Sequence, residues 1–204
     1  MNFLSKLERK CGWLSFPNLY QYLTIIYLVG LIINVYNPYY YVLNLSLDVP
    51  MILKGQIWRV FTFIFYPPTS SISIILALII IYIDYSIMRT LTVIWRPFKF
   101  NLFMFIGYIS YIVGAFVLYL AFGIRELMNP YHLFFSVVFA FALSFPDAVF
   151  FLYFLIPIKA KYLVYVDLAI YIIEFATSGL VNKVAIICSL VNIFVYFVLL
   201  KNKI

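Results

Sequence analysis

Residues 102–122 read LFMFIGYISYIVGAFVLYLAF, a stretch without one charged side chain. At 1.5 Å per residue a helix of this length measures about 30 Å, the thickness of a bilayer's hydrocarbon core. The texture recurs on both sides, as in Ile72 to Ile83. Of 204 residues 67% are hydrophobic and only 10% charged, with mean hydropathy +1.08, whereas soluble domains carry about 25% charged residues. So few charges cannot clothe a water-facing surface. A soluble domain, a disordered chain and a disulfide scaffold are excluded, and an integral membrane protein is expected.

Apolar runs punctuated by Pro, Asn, Gly or charge predict six spans, at about 19–36, 71–88, 102–122, 131–146, 162–177 and 184–200. They form one all-α, membrane-embedded domain, 1–204, behind an amphipathic cytoplasmic segment at 1–18. Residues 148–158 are apolar but too short to cross, and Pro157 with Lys159 and Lys161 closes them, so an interfacial or re-entrant segment is expected there. The loop after the first span holds Tyr39, Tyr40, Tyr41, Trp58 and Phe61, which suits the headgroup region.

The formal charge is +7, from 14 Lys and Arg against 7 Asp and Glu. The basic residues sit between hydrophobic runs, not on one continuous face, and nothing resembles a nucleic-acid module, so no nucleic-acid partner is expected. With the N-terminus inside, Lys54, Arg59, Arg125 and Lys183 fall outside the cytoplasm and the other ten within it. That asymmetry predicts cytoplasmic N- and C-termini and an even number of spans. Cys11 and Cys188 lie in unlike settings, so neither a disulfide nor a metal centre is expected, and no cofactor. The start lacks a small-residue cleavage site. No fixed-period repeat or inverted pair of broken spans marks a transporter.

Charges within spans are costly, about 2.5 to 3.5 kcal/mol at the bilayer centre, so Asp84, His132, Asp167 and Glu174 are candidates for function. Asp167 and Glu174 are two turns apart and share one face of the fifth span. They suit a cation or proton site or a client-facing polar face; a structural role, with Asp167 near Lys161 and Glu174 hydrogen-bonded in the bundle, is the plainer expectation. Asp84 is expected to partner Arg89. His132 and Ser136 form an i, i+4 pair, but neighbours on one helix do not converge on a substrate cleft, and no orienting group is evident. Gly107, Ser110 and Gly114 share a face of the third span and predict close helix packing, as do Cys188, Ser189 and Asn192 on the sixth.

Several strings then converge. The stretch from Gly55 to Phe65, GQIWRVFTFIF, resembles the Trp-Arg motif in the first loop of rhomboid intramembrane proteases. Phe98 to Leu102, FKFNL, is similar to the opening of that family's third span. Leu143 to Ala148, LSFPDA, and Phe154 to Leu163, FLIPIKAKYL, resemble its link between spans four and five. The resemblance implies a six-helix rhomboid-like bundle with an interfacial first loop built on Trp58 and Arg59.

The catalytic strings depart from the family. Its Gly-x-Ser-Gly nucleophile position falls near Tyr131, its histidine in span six near Ile186, and its histidine-rich start of span two is replaced by Tyr66, Pro67 and Pro68. Without nucleophile, base and oxyanion donors there is no peptide hydrolysis to propose. The resemblance therefore implies a pseudoprotease, derlin-like in that respect, which binds or escorts transmembrane client proteins in the lipid bilayer and serves membrane protein quality control. A bacterial inner membrane is the expected location. The alternatives are a rhomboid-type protease with an atypical site, or a small transporter or channel using Glu174 and Asp167.

Overall fold

A computed structural model describes residues 8–10, 12, 15–66, 73–125, 127–128, 130–152, 156–195 and 197–198, with backbone alone at 150–152, 156–158, 163 and 167. Most of the segment expected at 1–18 before position 15, the first residues of the run expected at 71–88, and the last of that expected at 184–200 lie outside the described residues. Six longer helices follow in order: α1 (Leu19–Tyr36), α2 (Ile74–Trp95), α3 (Pro97–Phe122), α4 (Tyr131–Ser144), α5 (Ala160–Thr177) and α6 (Leu180–Val195). Three of them, α1, α2 and α3, are long and apolar enough to cross a membrane, while α4 and α6 are shorter apolar helices. The chain is thus a largely helical protein built for a bilayer.

Local chemistry sets the helix ends. Expected to stop at Met88, α2 instead continues through the exposed Arg89 to Trp95, because a charge on an outward face leaves the backbone ladder intact. The break comes at Arg96, whose φ is 69°; Pro97 bars the helical conformation from the residue before it. Pro97 then opens α3 five residues ahead of the expected 102, since its missing N–H costs nothing in a first turn. At the far end Gly123 takes φ 67°, and the Gly123 and Ile124 N–H groups donate to the Tyr119 and Leu118 carbonyls, a left-handed cap.

Within residues 148–158, expected as an interfacial or re-entrant segment, the described parts are extended. Strand β1 (Val149–Leu152) pairs antiparallel with β2 (Ile156–Lys159), and the Ala160 N–H closes the hairpin on the Ala148 carbonyl at 2.7 Å. Asp147 at its base meets Lys159 at 3.6 Å and Lys161 at 3.9 Å. Both basic groups expected on the cytoplasmic side therefore gather on one exposed carboxylate.

The bundle turns on α3. A Cβ built on Gly107 would fall on the Asn192 amide and the Leu133 side chain; one on Gly114 would sit 2.7 Å from Cys188 Sγ, 3.2 Å from Val184 and 3.5 Å from Met128. Rising numbers on α3 thus meet falling numbers on α6 and on the approach to α4. Helix α3 is antiparallel to both, so α4 and α6 run parallel. Gly30 allows a second close approach, where a Cβ would fall on the Phe65 carbonyl of the first loop. Trp95, Phe100 and Phe103 fill the core at the α2–α3 corner.

Candidate functional site

The link from Asn37 to Tyr66 is a folded unit. The Asn37 side chain caps a turn at Pro38–Tyr40, a π turn follows at Tyr41–Leu45, and Asp48 caps the turn Val49–Leu53. Arg59 bonds one carbonyl within the π turn and one just after it. Buried to 2% exposure, its guanidinium donates to the Leu43 carbonyl, to the Ser46 carbonyl at 3.1 Å and, through Nε, to Gln56 Oε1 at 2.7 Å. Trp58 is half exposed, and its indole N–H reaches the Asn44 carbonyl at 3.2 Å. Thr62 donates to the Leu45 carbonyl at 3.0 Å, and Tyr41 to that of Phe63 at 2.8 Å. Burial raises the Tyr41 phenol above its usual range, so it stays a neutral donor.

A second polar cluster lies where α3, α4, α5 and α6 meet. Ser136 is fully buried; its hydroxyl donates to the Leu133 carbonyl at 2.6 Å and accepts from Asn192 Nδ2 at 3.2 Å. Beside it Ser110 Oγ reaches the Cys188 carbonyl at 3.1 Å. His132 Nε2 faces Glu174 Oε1 at 3.4 Å, and the Tyr171 hydroxyl donates to the His132 carbonyl at 3.2 Å. Among the described residues His132 Nδ1 and Asn192 Oδ1 are buried with no hydrogen-bond partner. Ser136 and His132 make separate bonds and do not engage each other.

Tyr131 and Ile186 can be set on the same scale. Ser136 meets Asn192, α4 and α6 run parallel, and the two positions lie five and six residues upstream of that contact. At about 1.5 Å per residue they share one level of the bundle to within about a helical turn. Tyr131 is 39% exposed and packs on Phe135 with ring centroids 4.6 Å apart, while Ile186 is buried.

The remaining candidates separate. Asp84 does not partner Arg89: the carboxyl is buried and the guanidinium exposed. Five residues turn a helix by about 500°, which places the two roughly 140° apart. Asp84 lies instead within electrostatic reach of the Tyr27 hydroxyl, and its Oδ2 is buried with no hydrogen-bond partner among the described residues. The Asp167 side chain lies outside the described residues. Glu174 turns to His132 on α4, a pairing that no spacing in the sequence announces because the two are separated by the whole hairpin. No three His, Cys, Asp or Glu side chains among the described residues come together to hold a metal.

Comparison with protein-family models, with curated proteins and with solved structures returns no match to this chain. Its function is read from the site alone.

Proposed function

We propose that the chain is a catalytically inactive rhomboid-like protein of six spans that binds or escorts transmembrane clients, with both termini in the cytoplasm of a bacterial cell. The observation that carries this reading is the shared level of Tyr131 and Ile186 on two parallel helices. These are the positions where the resemblance calls for nucleophile and base, and they hold a phenol and an alkyl chain in place of the family's serine and histidine. The serine and histidine of α4 are engaged elsewhere: the Ser136 hydroxyl with Leu133 and Asn192, and His132 Nε2 with Glu174.

The first loop supports the same reading. Arg59 holds its backbone from within while the neighbouring Trp58 lies half exposed beside it, as an interfacial loop requires. Helix α4, at 14 residues, is about 21 Å long. A bilayer meeting so short a helix thins at a cost of fractions of a kcal/mol per Å, which would ease entry of a client helix.

Photo-crosslinkers on α2 and α5 are expected to capture single-span proteins in cells, with equal yield from Ser136→Ala. Recovery of lipids and self-contacts alone would remove client binding. Labelling by a fluorophosphonate probe that is lost in Ser136→Ala would restore a protease. The His132–Glu174 pair favours a second reading, a proton-handling transporter, for which proton flux in liposomes must vanish in Glu174→Gln.

A further inference from the structure

The outward face of α2 carries a charge that the bundle does not use. Arg89 is exposed, and among the described residues no carboxylate lies within ion-pairing distance of it. Around it is an open groove of about 270 Å³, lined by the hydroxyl-bearing side chains of Tyr82, Tyr85, Ser86 and Thr90. Thr90 spends its proton on the Ser86 carbonyl at 2.8 Å. No described acceptor takes the Ser86 hydroxyl, which stands one turn from the guanidinium.

The level of the groove follows from α1. Tyr20, in the first turn of α1, meets Tyr85 with ring centroids 5.5 Å apart. The start of α1 therefore sits beside Tyr85, and α2 runs on for nearly three further turns to Trp95. Where one spanning helix begins the hydrocarbon ends, and an arginine at that depth reaches phosphate level by extending its stem. Arg96, exposed at the same helix end, adds positive potential.

We propose that the Arg89 groove binds the phosphate of one anionic phospholipid, the guanidinium donating to the phosphate oxygens and Ser86 adding a hydroxyl donor. An arginine that merely snorkels would accept any headgroup. This groove has a cation and no carboxylate among its lining residues, so it lacks an anionic partner for the ammonium of a zwitterionic lipid and favours a headgroup with net negative charge.

Native mass spectrometry of the full chain in detergent, with phosphatidylglycerol and phosphatidylcholine at equal concentration, tests the site. The expected result is one phosphatidylglycerol retained in preference, with that preference falling about tenfold in Arg89→Gln, the loss of one charge-assisted contact. Thermal unfolding without added lipid should be unchanged, and Arg89→Lys should keep part of the preference. If Arg89→Gln destabilises the chain, Ser86→Leu in the same groove must weaken retention. Undiminished preference in Arg89→Gln and Ser86→Leu overturns the site. Protection of the wild type by inorganic phosphate equal to that by the lipid makes it a free-phosphate site and overturns the lipid assignment.

Discussion

Arg59 shows how one side chain can organise a loop at a membrane surface. Its guanidinium bonds the Leu43 and Ser46 carbonyls, and with it removed the Leu43 carbonyl loses this donor while that of Ser46 keeps only the Asp48 N–H. Arg59→Ala should cost about 3 kcal/mol in reversible unfolding in micelles, and Arg59→Lys should recover little, because an ammonium cannot span divergent acceptors. Trp58→Ala removes one hydrogen bond from a half-exposed ring and should cost about 1 kcal/mol; equal costs at the two positions would contradict the buried role of Arg59. The Trp-Arg string made the loop legible in the sequence, but the partners of Arg59 were not, since backbone carbonyls carry no residue signature.

At the scale of elements, glycines set close approaches, and the surroundings of Gly30 and Gly107 rank those two. Gly30 abuts backbone at Phe65, which cannot move without the loop; Gly107 abuts the end of the Asn192 side chain. Gly30→Ala should therefore destabilise by about 2 kcal/mol or more and Gly107→Ala by about 1 kcal/mol, as read by thermal unfolding; the reverse order would place the tighter seam at α3–α6. The small-residue pattern announced the α3–α6 contact, whereas Gly30, alone in α1, gave no signal. Helix α5 hangs on fewer anchors. Tyr171 is its one buried side chain between Tyr162 and Thr177 among those described, and it joins with Glu174 in holding α4. Tyr171→Phe should raise hydrogen exchange in α5 while leaving α3 unchanged; uniform exchange across the bundle would mean that α5 is not held separately.

For the molecule as a whole, orientation is the accessible quantity. Cysteines placed at Lys161 and Lys54 should react with an impermeant thiol reagent from opposite faces, Lys161→Cys from the cytoplasm; labelling from one face would undo the charge-based topology. Helical, membrane-suited character followed from composition and run length, because transfer of apolar surface is nearly additive along a chain and needs no knowledge of neighbours. Tertiary structure alone decided the rest. It paired His132 with Glu174, buried Asp84 while leaving Arg89 exposed, and paired the strands Val149–Leu152 and Ile156–Lys159. Each depends on the angle and depth at which distant helices meet, and these are set by directional hydrogen bonds and close packing between segments far apart in the chain.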